Sequence, residues 1–109
     1  MWTYKIVTET KLFYSSGSIG IDALVLKEVE IIPGEKVDVL NYNNGERFET
    51  YVIKEEPNSG RIVLYGPAAK KGEVGDKICI LSYTFADKET VRRIKPKIII
   101  LDERNKVKH

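Results

Sequence analysis

Three short stretches of this 109-residue chain carry side chains that could do chemistry together. The first is Ser15-Ser16-Gly17-Ser18-Ile19-Gly20-Ile21-Asp22. A glycine carbonyl has no neighbouring side chain to crowd it, so the hydroxyl of the following residue can approach. Ser18 Oγ could then attack the Gly17 carbonyl to form an ester. Elimination and hydrolysis would leave a pyruvoyl group where Ser18 had been. The plain alternative is a Gly/Ser turn between two strands. The second stretch is Asn44-Gly45-Glu46-Arg47-Phe48-Glu49-Thr50-Tyr51. Arg47 is suited to holding a carboxylate with two parallel hydrogen bonds. Tyr51 has a phenolic proton to give, and Thr50 a hydroxyl to offer the oxyanion formed as Ser18 attacks. The alternative here is an edge hairpin with a surface Arg, a packed Tyr and a β-favouring Thr. The third is Tyr65-Gly66-Pro67-Ala68-Ala69, whose small side chains would let a ligand lie against the backbone, or which simply turns the chain. Lys70-Lys71 beyond it reads as a solvated pair.

Positioning these residues falls to short strands. Trp2 to Thr8, Lys11 to Tyr14, Ser18 to Ile21, Lys36 to Leu40, Glu46 to Lys54, Arg61 to Tyr65, Lys77 to Phe85 and Lys97 to Leu101 are predicted as extended. Asn43-Asn44-Gly45 and Pro57-Asn58-Ser59-Gly60 are turns, because Asn and Gly tolerate the positive φ that tight turns need. Short helices are expected over Ala23 to Glu30 and Lys88 to Ile94. Strand alternation puts Arg47 and Tyr51 on one face and Thr50 on the other, so a site using all three needs a strand end, an edge or a subunit boundary. A weak repeat runs through the pattern: Gly34-Glu35-Lys36-Val37-Asp38-Val39 echoes Gly75-Asp76-Lys77-Ile78-Cys79-Ile80. Two such halves suggest a small, mainly β barrel with approximate two-fold symmetry and one or two short helices, resembling a double-psi β-barrel.

Composition narrows the chemistry. The only histidine is His109 and the only cysteine Cys79, which excludes Ser-His-Asp and Cys-His pairs, multi-Cys zinc sites and an internal disulfide. No metal is expected. Eighteen Lys+Arg against sixteen Asp+Glu give a net charge of +2. Residues 88–109 hold 8 basic and 3 acidic side chains, but no aromatics interleave them, so a solvated helix face outweighs nucleic-acid binding. No apolar run approaches the ~20 residues of a membrane span, and no signal peptide is evident. The expected location is the cytoplasm.

Taken in order, the motifs resemble the pyruvoyl-dependent aspartate 1-decarboxylases. The resemblance runs from about Tyr14 to Asn105: Gly17-Ser18 with Ile21-Asp22, Gly34-Glu35, Asn44 to Tyr51, Gly66 with Ala68-Ala69, Val74-Gly75-Asp76, Ile80 to Tyr83, and Lys95-Pro96. It implies one double-psi barrel domain over residues 1–109, cleaved between Gly17 and Ser18 into a β chain, 1–17, and an α chain, 18–109. It implies a covalent pyruvoyl group derived from Ser18, on which the amine of L-aspartate forms a Schiff base before CO2 leaves and β-alanine, the pantothenate precursor, is released. Arg47 would anchor a substrate carboxylate, Tyr51 would return the proton, and Thr50 would assist processing and contact substrate. Gly66, Pro67 and Ala68 would line the pocket. The implied partners are L-aspartate and further copies of the chain in a homotetramer, with no nucleic acid and no membrane; a maturation factor is neither required nor excluded by these residues. The chain departs from the family pattern in four places. Lys5 is the nearest candidate for the family's N-terminal lysine. One extra residue lies between Tyr14 and Gly17. Tyr65 stands where the family has Asn, and Pro67 where it has Ala. A pyruvoyl decarboxylase of another amino acid, or a non-catalytic barrel used for binding or assembly, are the competing readings.

Overall fold

The computed structural model describes residues 2–6, 9–11 and 17–108. Its strands are β1 (Trp2–Ile6), β2 (Glu9–Lys11), β3 (Ser18–Asp22), β4 (Lys36–Asn41), β5 (Arg47–Glu55), β6 (Ile62–Tyr65), β7 (Lys77–Leu81) and β8 (Ile98–Ile100). Two helices, α1 (Ala23–Val29) and α2 (Lys88–Arg93), and a 3₁₀ turn over Gly66–Lys71 complete it. The strands form one mixed sheet in the order β2-β6-β3-β5-β4-β7-β1-β8. β3 lies parallel to β5 and antiparallel to β6, so the segment bearing Gly17-Ser18 enters the sheet between the two strands that carry the other candidate residues.

Alternation explains the core. In β4 the buried positions are Val37, Val39 and Asn41, and in β5 Val52 is buried while Arg47, Glu49 and Tyr51 are exposed. Ile19, Ile21, Val39, Val52, Ile62, Leu64 and Ile80 have no accessible surface. Each such side chain contributes about 1.5–3 kcal/mol on leaving water. Helix α1 starts because buried Asp22 accepts from Leu24 N at 2.9 Å, and it buries Val25, Leu26 and Val29 at helical spacing. It stops at Glu30, whose φ of 60° is left-handed. Asp22 also receives Asn58 N at 2.9 Å and Gly60 N at 2.8 Å, so one carboxylate joins the C-terminal end of β3, the start of α1 and the 57–60 turn.

The sequence repeat is real in three dimensions. β4 and β7 pair antiparallel with Val39 opposite Ile80, two positions that correspond in the repeat, and the flanking pairs Asp38–Leu81 and Leu40–Cys79 exchange under the same relation. The launching glycines share a conformation too, Gly34 at φ 90° and Gly75 at φ 95°, a region that side chains with a Cβ rarely enter.

One expectation needs correction. The strand expected over Lys77 to Phe85 ends at Leu81. Its last pair with β1 is Trp2–Leu81, and Ser82 then donates its hydroxyl to Glu35 Oε2 at 2.5 Å instead of continuing the ladder. From there to Lys97 every side chain is exposed. The stretch after Tyr65, read as a small-residue loop or a turn, is a 3₁₀ turn, compatible with Pro67 because its missing N–H is not needed at the first turn. Residues 12–14, the greater part of the strand expected over Lys11 to Tyr14, lie outside the described residues.

Candidate active site

Ser18 is the first residue of β3, and Gly17 sits just before it. That strand-start position is where groups from both faces of β5 can converge. Thr50 donates its hydroxyl to the Gly17 carbonyl at 3.2 Å. Ile19 pairs with Val52, so Ser18 lies level with Tyr51 by one-residue extension of the register, and strand alternation puts their side chains on a common face. Ser18 is 4% exposed, whereas Tyr51 is 38% exposed. On the other side Ser18 pairs with Tyr65, the residue that leads into the small-residue turn.

Gly17 packs tightly against that turn. A Cβ placed on it would meet Ala68 N at 3.3 Å, Pro67 Cδ at 3.5 Å and the Tyr65 carbonyl at 3.5 Å. A cleft of about 260 Å³ opens beside it, lined by Gly17, Phe48, Glu49, Thr50, Pro67, Ala68 and Lys71. Gly66 is buried at the start of the turn. The structure therefore brings together Gly17, Ser18, Thr50, Gly66, Pro67 and Ala68, with Tyr51 beside them on the outer face.

Arg47 is elsewhere. It is four residues from Tyr51, about 13 Å along an extended strand. Its guanidinium donates to Asp38 Oδ2 at 3.2 Å and to the Tyr83 hydroxyl at 3.0 Å. These partners, the Asp38 hydrogen bond first, hold Arg47 above its ordinary pKa. Tyr83 is raised above the usual tyrosine value, first by loss of water contact and then by Asp38. Arg47 thus belongs to a polar cluster on the outward face of β4 and β5, with Lys36, Val37, Asp38, Glu49, Tyr83, Thr84 and Phe85 around an adjoining groove. Of Lys5 only the backbone in β1 is described, opposite Ile78.

Some neighbours of the site escape sequence inspection. Tyr65 donates its hydroxyl to Glu55 Oε2 at 2.8 Å, and Arg61 Nε lies 3.7 Å from Glu55 Oε1. The Glu55 carboxylate occupies the space left by Gly20, since a Cβ there would lie 2.0 Å from Glu55 Oε2. Lys71, read from sequence as solvated, reaches the cleft because the 3₁₀ turn folds it back, and two side-chain amides pin its carbonyl: Asn41 Nδ2 at 3.1 Å and Asn44 Nδ2 at 2.9 Å. Its place two residues after the small-residue stretch ending at Ala69 is the one sequence signal that could have flagged it. Among the described residues no group of three or more His, Cys, Asp or Glu is placed to hold a metal, and no helix is long and apolar enough to cross a membrane.

A family model for aspartate decarboxylase matches residues 3–108. Aspartate 1-decarboxylase of Francisella tularensis subsp. tularensis (strain FSC 198) is 54% identical over 99 residues, covering 91% of this chain and 87% of the relative. The enzyme of the same name from Thermoanaerobacter pseudethanolicus is 50% identical over 101 residues, covering 93% and 86%. Among solved structures, the rationally designed double-psi β-barrel mkDPBB_sym1 superposes with a TM-score of 0.59 at 15% identity, covering 76% of this chain and all 100% of the design. The computationally designed msDPBB_sym2 gives 0.56 at 12% identity, with coverage of 76% and 100%. At such low identity these likenesses establish the fold, which is the mainly β double-psi architecture read from the repeat. The family match over nearly the whole length, together with relatives at about half identity, places the motif order seen around Gly17-Ser18 in a known lineage: the chain belongs to the aspartate decarboxylase family.

Proposed function

We propose that this chain is an aspartate 1-decarboxylase that first processes itself at Gly17-Ser18, giving chains 1–17 and 18–109 within one domain. The observation that carries the reading is the Thr50 hydroxyl on the Gly17 carbonyl oxygen, the atom that would gain negative charge when Ser18 Oγ attacks. The Gly17–Ser18 peptide would become an ester as Ser18 Oγ bonds to the Gly17 carbon and the amide nitrogen is released. Loss of the Ser18 α-proton and of the Gly17 carboxylate, followed by hydrolysis with release of ammonia, would leave the pyruvoyl group.

The site fits such a group. Gly17 has no Cβ to block the small-residue turn, and the cleft opens beside its carbonyl. Once formed, the pyruvoyl ketone supplies a covalent attachment for an amine and a place for electrons released with CO2. Around it the protein's own groups bind and move protons. Thr50 contacts substrate after its processing role, Gly66, Pro67 and Ala68 bound the pocket, and Tyr51 Oη delivers the proton that the substrate's α-carbon must regain to give β-alanine. Arg47, displaced along β5, takes a substrate carboxylate across a protomer boundary in a homotetramer. The segment after β7 supports such an assembly, because Tyr83, Phe85, Val91, Ile94, Ile98 and Ile100 are all exposed. The cytoplasm is the compartment this pantothenate-supplying role assigns.

Intact mass spectrometry of the denatured protein, paired with CO2 release from aspartate and glutamate, tests the proposal. Two fragments meeting at Gly17-Ser18, the larger without an N-terminal amine, are expected, with CO2 released from aspartate. A chain that stays whole under all maturation conditions would refute it.

A further inference from the structure

We propose that the Tyr83 hydroxyl stands in for a substrate carboxylate oxygen on Arg47 and yields its place when substrate binds. The inference rests on the reading of Arg47 as a carboxylate anchor given above. Among the described residues, the guanidinium makes both of its contacts through one nitrogen: Nη2 donates to Asp38 Oδ2 at 3.2 Å and to the Tyr83 hydroxyl oxygen at 3.0 Å. Nη2 carries two hydrogens, one on the edge shared with Nη1 and one on the edge shared with Nε. A carboxylate held by two parallel hydrogen bonds takes one of those hydrogens together with its neighbour on the same edge. With two acceptors on two hydrogens, neither edge is open. One acceptor has to leave before Arg47 takes a carboxylate in that way.

The surroundings decide which one leaves. Asp38 sits in the middle of β4, opposite Glu49 on one side and Leu81 on the other, and its side chain is 17% exposed. Its hydrogen bond is also the first cause of the raised Arg47 pKa. Tyr83 is 60% exposed and lies two residues beyond the end of β7, outside any strand. Its phenol is neutral, so it is a weaker acceptor for a guanidinium than a carboxylate is. A groove of about 460 Å³, lined in part by Tyr83, Thr84 and Phe85, gives the ring room to turn aside. Departure of Tyr83 then exchanges a neutral acceptor for a charged one, while Asp38 keeps the guanidinium in the same orientation.

The test uses succinate, which has two carboxylates and no amine, titrated by calorimetry, with intact mass spectrometry recording the cleavage state of each sample. Tyr83→Phe keeps the ring and removes the competing oxygen, so it should tighten succinate binding by about two- to fivefold, the worth of one exposed hydrogen bond. Arg47→Ala should weaken binding by about tenfold, and adding Tyr83→Phe to it should change nothing further. A purely structural role of the hydroxyl would act equally in both backgrounds. In turnover, Tyr83→Phe should lower KM for aspartate by about the same factor as it tightens succinate. Unchanged or weaker binding in Tyr83→Phe, or an equal effect with and without Arg47, would overturn the inference while Arg47→Ala still lost affinity. Unchanged affinity in Arg47→Ala would instead refute the anchor reading, and the inference with it. Failure of the decarboxylase reading would show separately, as a wild-type chain neither cleaved nor releasing CO2.

Discussion

Replacing Thr50 by Val keeps the shape of the side chain and removes one donor. In the uncleaved protein the Thr50–Gly17 contact is 3.2 Å, beyond the usual 2.7–2.8 Å of an O–H···O bond. A neutral bond of that length contributes about 0.5–1 kcal/mol, so the fold should lose no more than that. The situation changes when Ser18 Oγ adds to the Gly17 carbon. The oxygen then carries negative charge, and a donor already aimed at it can shorten its bond with little reorganisation. Loss of one such donor costs about 2.7–4 kcal/mol, a slowing of about 10²–10³. Thr50→Val should therefore mature about a hundred to a thousand times more slowly while melting within a few degrees of the parent, about 4–8 °C per kcal/mol being the scale for a domain of this size. Thr50→Ser keeps the donor and should mature within about tenfold of the parent rate. The assay is the fraction of whole chain against time by intact mass spectrometry, with melting curves on the uncleaved material. Maturation of Thr50→Val at the parent rate, in a protein that melts normally, would refute the oxyanion argument.

Other substitutions probe separate parts of the molecule. Tyr51→Phe should still be cleaved, but its kcat should fall by about 10²–10⁴, the usual worth of a positioned proton donor, measured as CO2 release from matured protein. Gly20→Ala drives a Cβ into the Glu55 carboxylate and should cost about 1–3 kcal/mol in urea denaturation, with Glu55→Ala recovering part of the loss in the double variant. Asp22→Ala removes the acceptor of three backbone N–H groups and should cost about 2–4 kcal/mol by the same method. Asp102 is held below its ordinary pKa, first by the Lys106 backbone N–H and then by that of Arg104. A lowered folded pKa means that its contribution is complete above the unfolded value of about 3.9 and is lost as pH falls through the folded one. Amide exchange at Lys106 should accelerate below about pH 4 and stay level above pH 5, once intrinsic exchange is allowed for.

Much of this arrangement was legible from local signals. Asp22 ahead of Val25, Leu26 and Val29 announces a capped helix, and the alternation in 36–41 and 47–55 names the buried faces. Gly34 and Gly75 mark equivalent turns because each needs a positive φ. Those features depend on neighbours a few residues away, so periodicity and residue type report them. The end of β7 at Leu81 does not. Residues 83–85 carry strand-favouring side chains, but pairing depends on whether β1 and Glu35 leave a partner free. The anchoring of the turn at Gly66–Lys71 was hidden for the same reason, since Asn41 and Asn44, which hold it, come from a hairpin about thirty residues earlier.

The candidate site divides in the same way. Gly17-Ser18 was identifiable because the proposed chemistry lies within one dipeptide, and the scarcity of histidine and cysteine had already removed most other kinds of catalysis. Which side chains stand around that bond is a matter of register. A parallel pairing of β3 with β5 sets Thr50 on the Gly17 carbonyl and Tyr51 level with Ser18. It leaves Arg47, only three residues from Thr50 in sequence, bound to Asp38 and Tyr83 on the outward face. Lys71, 53 residues after Ser18, lines the cleft beside Gly17. The sequence by itself determined the candidate dipeptide Gly17-Ser18, the apolar faces and the repeat, all set by covalent order and short-range sterics. Only the tertiary structure decided which side chains stand around that bond, because strand pairing brings together residues that no local pattern links.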